Sequence, residues 1–219
     1  MPLNTAVIRS PESILRTNKL IRNTYTLLSM TLVFSGLLAF LGMNLNLSPG
    51  MALGASLVGI GLLWFALPKA QNSAAGIPVL FAITGLLGLG LGPTLNYYLS
   101  INPNIVMLAL GGTGVIFLGL SAYALSTQKD FSFMGGFIFV GLLVAIGAMV
   151  LNLFLGIPVL ALAISGVVIM IMSGFILFQT SAMIHGGETN YISATAGLFI
   201  SILNIFTSLL QILGIFGDD

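Results

Sequence analysis

What the sequence lacks excludes several classes of chemistry. The 219 residues contain no cysteine, which excludes disulfide bonds and thiolate metal sites. They contain one histidine, and the carboxylates all lie outside the apolar runs. A metal site of protein ligands, a Ser-His-Asp arrangement or a buried acid/base pair therefore has too few parts. We predict no enzymatic activity, cofactor, metal site or nucleic-acid partner.

Charge is also scarce, and this defines the solvent of the protein. Charged residues make up 5% of the chain and hydrophobic residues 58%, with a mean hydropathy of +1.14. The surface of a water-soluble protein is rich in charge. Lipid is therefore predicted to surround most of this chain.

The apolar runs predict an all-α fold, a polytopic membrane protein with a seven-transmembrane-helix bundle. A helix crosses the hydrocarbon core in about 20 residues. Runs bounded by polar residues, Gly or Pro give seven such helices, with six or eight as alternatives. The predicted spans are 24–43, 51–67, 76–99, 105–125, 133–155, 157–180 and 191–214. The domain prediction is an N-terminal tail (1–23), the bundle (24–214) and a short C-terminal segment (215–219).

The basic residues predict the orientation. All six Lys and Arg fall on one side if seven spans alternate: four in the tail, then Lys69 and Lys129 in later gaps. The positive-inside rule makes that side cytoplasmic, so the C-terminal Asp218 and Asp219 are predicted to be periplasmic. The basic residues of the tail are Arg9, Arg16, Lys19 and Arg22.

The tail itself has two interpretations that the sequence supports equally. Ser10 can cap a helix, Pro11 suits its first turn, and apolar residues alternate with the cations beyond it. Such a helix would lie on the membrane, where anionic lipid attracts each cation by about 1 kcal/mol. The alternative is a disordered tail whose charges only set the topology.

The last span carries a stripe of small and polar residues, called here the polar stripe. Its members recur at intervals of three and four and so share one helix face. They are Ala194, Gly197, Ser201, Asn204, Ser208 and Gln211. Asn and Gln face hydrocarbon at a cost, so the last helix is predicted to be central and largely enclosed by the other six. Gln179 and Asn96 would extend this stripe into a central polar path.

Glycines predict where helices approach closely. Small residues let helices pack in lipid, and the third and fourth spans are rich in glycine; Gly88 and Gly92 have the spacing of a packing motif. Pro93 removes a backbone donor, so the third span is predicted to kink or break before Asn96.

The densest polar cluster is the segment between the last two spans, predicted to be cytoplasmic. It consists of His185, Gly186, Gly187, Glu188, Thr189, Asn190 and Tyr191. The paired glycines permit a tight turn. Physical reasoning alone favours a solvated loop, although His185 near Glu188 could act as a pH switch.

Several strings resemble a known family. They are the strings beginning at Arg22, Leu91, Gly111, Lys129 and Asn204, together with the loop HGGETNYI from His185 to Ile192. The chain is similar in these to the YccA branch of the Bax inhibitor-1 family, bacterial inner-membrane modulators of the FtsH protease. The resemblance runs over nearly the whole chain, and the loop is its most specific part.

The resemblance implies a function that composition does not. It implies binding to FtsH, an ATP-dependent membrane protease, and inhibition of or competition with degradation of other membrane proteins, with residues from Met1 to about Lys19 as the part that is pulled. An alternative implied by wider family members is a passive calcium leak gated by two carboxylates. Gln179 and Ser201 stand at the matching positions, and neither can ionise.

Overall fold

The computed structural model describes the backbone of residues 11–216 and the side chains of residues 14–215. Seven helical segments are long and apolar enough to cross a membrane, which confirms the predicted all-α bundle. The spans, in order, are Pro11–Asn44, Pro49–Ala70, Gly76–Ile101, Pro103–Thr127, Met134–Leu155, Pro158–His185 and Tyr191–Phe216. The second contains a π-helical turn at Leu62–Ala66, and the third consists of two helices, Gly76–Gly90 and Gly92–Ile101.

The first span is one uninterrupted helix of 34 residues, so the predicted boundary between tail and bundle at residue 23 is not a break in the chain's structure. At 1.5 Å per residue, 34 residues make a helix about 51 Å long, well beyond the roughly 30 Å of a hydrocarbon core. With the apolar run 24–43 in the core, the part before it continues along the helix axis instead of turning onto the membrane surface. Arg9 and the predicted cap Ser10 lie outside the described residues.

The third span is broken where the sequence predicted it. The first of its helices ends at Gly90 and the second starts at Gly92, with Pro93 in the first turn of the second, where no backbone donor is needed. Asn96 on the second helix donates its amide to the carbonyl oxygen of Met43 at 3.1 Å. That bond ties the outer half of the third span to the end of the first.

Glycines of the third span form the predicted close contact, here with the first span. A Cβ at Gly88 would overlap Ser35, and one at Gly92 would lie 2.6 Å from the backbone of Gly42. The fourth span does not repeat this arrangement, because a Cβ at Gly111 would meet open space. A Cβ at Gly112 would nevertheless lie 3.2 Å from Leu209 of the last span, so only part of the predicted glycine packing of the fourth span is absent.

The last span is central, although not enclosed by all six others. It packs against the first, third, fourth and sixth spans, and Leu198, Ile205 and Leu210 along it are fully buried. The second and fifth spans lie at the periphery; the fifth packs mainly on the sixth and exposes most of its side chains. Within residues 11–216, four helices thus enclose the last one, not the six that were predicted.

Candidate functional site

The segment between the last two spans is a structured turn. The sixth span ends at His185, and Gly186 follows with φ of +81°, a left-handed conformation that glycine adopts without steric cost. Glu188 Oε1 then accepts hydrogen bonds from the backbone N–H groups of Thr189 and Asn190, each at 2.8 Å. The predicted tight turn is therefore present, with its carboxylate engaged by the backbone.

Asn190 connects this turn to the start of the last span and to a neighbouring loop. Its Oδ1 accepts from the backbone N–H groups of Ile192 and Ser193, which caps the last span. Its Nδ2 donates to Gln71 O at 3.0 Å and to Asn72 Oδ1 at 2.7 Å, in the connection between the second and third spans. One side chain thus fixes the start of the central helix and the neighbouring loop.

Ser181 performs the same task for the connection between the fourth and fifth spans. Its Oγ accepts from the backbone N–H of Phe131 at 2.9 Å and donates to Lys129 O at 3.2 Å. His185, one turn later, has its Nδ1 2.9 Å from Ser181 O. The end of the sixth span and the loop containing Lys129 and Asp130 therefore form one surface.

Asp130, on this surface, has a lowered pKa. The hydroxyl and the backbone N–H of Ser132 donate to its carboxylate, and the nearby His185 adds to their effect, so the pKa of Asp130 lies below its ordinary value. The backbone bond is 2.8 Å long. A carboxyl whose pKa is depressed on folding contributes stability above its unfolded pKa, and that contribution is lost as the pH falls through the folded value.

We expect Asp130→Asn to flatten the acid limb of the stability profile. Below about pH 4 the wild-type chain loses the contribution of the ionised carboxylate, whereas the variant has none to lose. Thermal unfolding in detergent measures this loss of stability, at pH values from about 3 to about 7 that span the ordinary pKa of a carboxyl group. Because Asp130 is exposed, the difference should be small; curves of identical shape would contradict the assignment.

Hydroxyl groups beneath this surface hold the first span in place. Thr195 Oγ1 donates to Thr24 O at 3.2 Å, and Tyr25 Oη lies 3.4 Å from Thr180 Oγ1. Thr24, Thr180 and Thr195 are fully buried. The first helix is therefore bonded to both of the last two helices just inside this end of the bundle.

The described basic residues lie at this same end. Arg16, Lys19 and Arg22 are exposed on the first helix, Lys69 is exposed in the last turn of the second span, and Lys129 is exposed in the loop after the fourth span. Beside the cations of the first helix is a crevice of about 270 Å³ between the ends of the first, fourth and sixth spans. The end that carries the turn at His185–Tyr191 is therefore also the basic end.

The polar stripe of the last span faces the sixth span. A Cβ at Gly197 would touch Phe175 and lie 3.6 Å from Gln179 Cδ, and Ser165 donates a hydrogen bond to Gln211. Ser201 and Asn204 donate to carbonyl groups of their own helix. The stripe therefore forms a helix–helix contact for much of its length.

The structure does not gather the residues of the predicted polar path into one group. Gln179, Ser201 and Ser208 are buried, Asn204 is half-buried, and Gln211 is exposed. Asn96 is bonded to the first span. A continuous path through these side chains therefore stays a prediction.

Sequence reasoning missed Ser181, Thr195 and Ser165. Ser181 and His185 are four residues apart and so share a helix face, a signal that was available. Thr195 and Ser165 bond to residues 171 and 46 positions away along the chain, and no local pattern indicates such partners.

The fold and this surface define a polytopic helical membrane protein in which the HGGETN turn joins the connections at its basic end. The family model described as inhibitor of apoptosis-promoting Bax1 matches residues 17–218. The chain belongs to the Bax inhibitor-1 family.

Three relatives match this chain over nearly the whole length of both proteins. The modulator of FtsH protease YccA of Escherichia coli K12 is 52% identical over 209 residues, 94% of each chain. An uncharacterized membrane protein of Vibrio cholerae is 51% identical, covering 96% of this chain and 95% of its own. An uncharacterized protein of Pseudomonas aeruginosa is 47% identical, covering 99% and 96%.

Proposed function

We propose that the chain is a non-enzymatic regulator of an FtsH-type protease in the bacterial inner membrane, with its N-terminus cytoplasmic and its C-terminus periplasmic. The observation that carries the proposal is the first helix, which continues beyond the apolar run toward the basic end without a break. The similarity to a modulator of FtsH protease over 94% of both chains supports the partner.

Two parts of the molecule would have different roles. The bundle would dock beside the membrane-embedded part of the protease, and the N-terminal residues would be the segment that the protease pulls. Continuous helix from Pro11 to Asn44 transmits such a pull directly into the bundle. Within the membrane this helix is bonded through Thr24 and Tyr25 and packed closely against Gly88 and Gly92.

This attachment suggests how degradation of other proteins would be slowed. Extracting the first helix requires breaking its buried hydrogen bonds and its contact with the third span at the same time. Buried polar groups left without partners cost about 1–3 kcal/mol each. A chain that is held by its N-terminal end and resists extraction occupies the protease. Competing membrane substrates are then degraded more slowly.

The test compares the full chain with a chain lacking residues 2–19, each co-purified with FtsH from native membranes. We expect both to associate with the protease, and only the full chain to be degraded or to slow the turnover of a second membrane substrate. A matched control keeps the length of the tail and replaces Arg16, Lys19 and Arg22 by Gln, which separates charge from reach. Failure of both chains to associate would overturn the proposal.

The alternative, a passive calcium leak, has less support from the geometry. The polar stripe is engaged with the sixth span, and Gln179 and Ser201, which the resemblance matches to the two gating carboxylates, cannot ionise. Cation flux into liposomes that falls when Gln179 or Asn204 is replaced would reverse this preference.

A further inference from the structure

A cavity of about 420 Å³ opens between the first and fourth spans. Gly36 and Ala39 of the first span lie on one side, and Gly114 of the fourth lies on the other. Leu91 and Leu95, at the break in the third span, close one end. The cavity therefore lies between helices that elsewhere enclose the central one.

The floor of the cavity is the central helix itself. Phe199, Leu203 and Phe206 of the last span line it, and their spacing of four and three residues places them on one helix face. The polar stripe, with Gly197, Ser201 and Ser208, lies on the other side of the same helix. The last span is thus packed on its polar side, while part of its apolar side borders the cavity.

The lining determines what can occupy the cavity. Its polar side chains are Ser35 and Thr113, and the Thr113 hydroxyl already donates to Ala109 O at 2.7 Å. An ordered water needs about two to four polar partners, so water is poorly held here. The occupant must be apolar.

The volume distinguishes an acyl chain from a helix. A helix about 10 Å wide with a pitch of 5.4 Å fills some 420 Å³ in a single turn, so no transmembrane helix fits. A water molecule has about 30 Å³ of liquid volume and a methylene group is of similar size, so about a dozen methylenes fill the space. The bilayer that seven spans require supplies chains of this kind at this depth.

We propose that an acyl chain of a bilayer phospholipid inserts between the first and fourth spans and rests on the central helix. The glycines on the two walls keep the entrance open, since a Cβ at either Gly36 or Gly114 would meet open space. The side chains that line an empty cavity lose dispersion contacts, and each methylene placed there restores some of them. This inference is independent of the proposed partner.

The test uses tryptophan fluorescence in vesicles of phosphatidylcholine with and without bromine atoms on the acyl chains, because bromine quenches tryptophan at short range. The native tryptophan, Trp64, is 72% exposed and gives the value for full lipid contact. A reporter chain carries Trp64→Phe and Leu203→Trp. We expect its quenching to approach that of Trp64, although position 203 lies on the central helix.

A matched pair of variants tests the route. Gly114→Leu in the reporter chain fills the entrance and should remove most of the quenching. Gly119→Leu, on the same helix and also facing open space, lies outside the cavity lining and should leave the quenching unchanged. Absence of quenching at position 203, or equal effects of the two substitutions, would overturn the proposal.

A measurement on the unaltered chain covers the case in which the reporter fails to fold. Native mass spectrometry after extraction into detergent should show phospholipid retained by the wild-type chain and by Gly119→Leu, and its loss in Gly114→Leu. A wild-type chain free of phospholipid under conditions that keep the bundle folded would equally overturn it.

Discussion

Gly88→Leu should strongly destabilise the bundle. A side chain at this position meets the backbone and hydroxyl of Ser35 on the first span, and backbone cannot move aside as a flexible side chain can. Overpacking a core commonly costs about 1–3 kcal/mol, and a clash with backbone belongs at or above the upper end. We expect a destabilisation of about 3 kcal/mol or more, seen as loss of the monodisperse peak on fluorescence-detected size-exclusion chromatography after mild heating.

Gly111→Leu is the matched control, because a Cβ there meets open space. Both glycines belong to glycine-rich runs that look alike in the sequence, and only one is packed. Similar stability of the two variants would mean that the contact between the first and third spans is not as the structure has it.

Asn190→Ala should give the second largest effect. The substitution removes the cap of the central helix, worth about 1 kcal/mol and up to about 2. It also removes the bonds to Gln71 and Asn72, each worth about 1 kcal/mol. We expect a destabilisation of about 2–3 kcal/mol, measured by equilibrium unfolding in mixed micelles.

Asn190→Asp separates the two contributions. Asp retains the oxygen that caps the last span and loses the amide donor, so about half of the effect should remain. Thr189→Ala, at an exposed neighbouring position, should be within about 0.5 kcal/mol of wild type. If Asn190→Ala were as stable as Thr189→Ala, Asn190 would have no joining role.

The spans and the break in the third were predictable because hydropathy and proline act locally. The continuity of the first helix was also available: residues 12–35 contain neither Gly nor Pro. The prediction instead placed a boundary where polar residues give way to apolar ones. A change of solvent along a helix is not a change of backbone conformation, and the structure shows the helix passing through it.

The packing partners could not be predicted from the sequence. The polar stripe correctly indicated a protected face of the last helix, but not that this face meets the sixth span at Gln179 and Ser165. Likewise, glycine content could not show that Gly88 meets a neighbour and Gly111 does not. Those outcomes depend on how helices far apart in the chain are oriented about one another.

The central position of the last span has a consequence for biogenesis. Synthesis proceeds from the N-terminus, and the helix on which four of the other spans pack is made after all six of them. Until it inserts, Thr24 lacks the hydroxyl of Thr195, and Gln179 lacks the surface at Gly197. The first six spans are therefore an assembly intermediate that lacks its central helix. A chain that terminates before the last span exposes the uncovered faces to the quality-control machinery of the membrane.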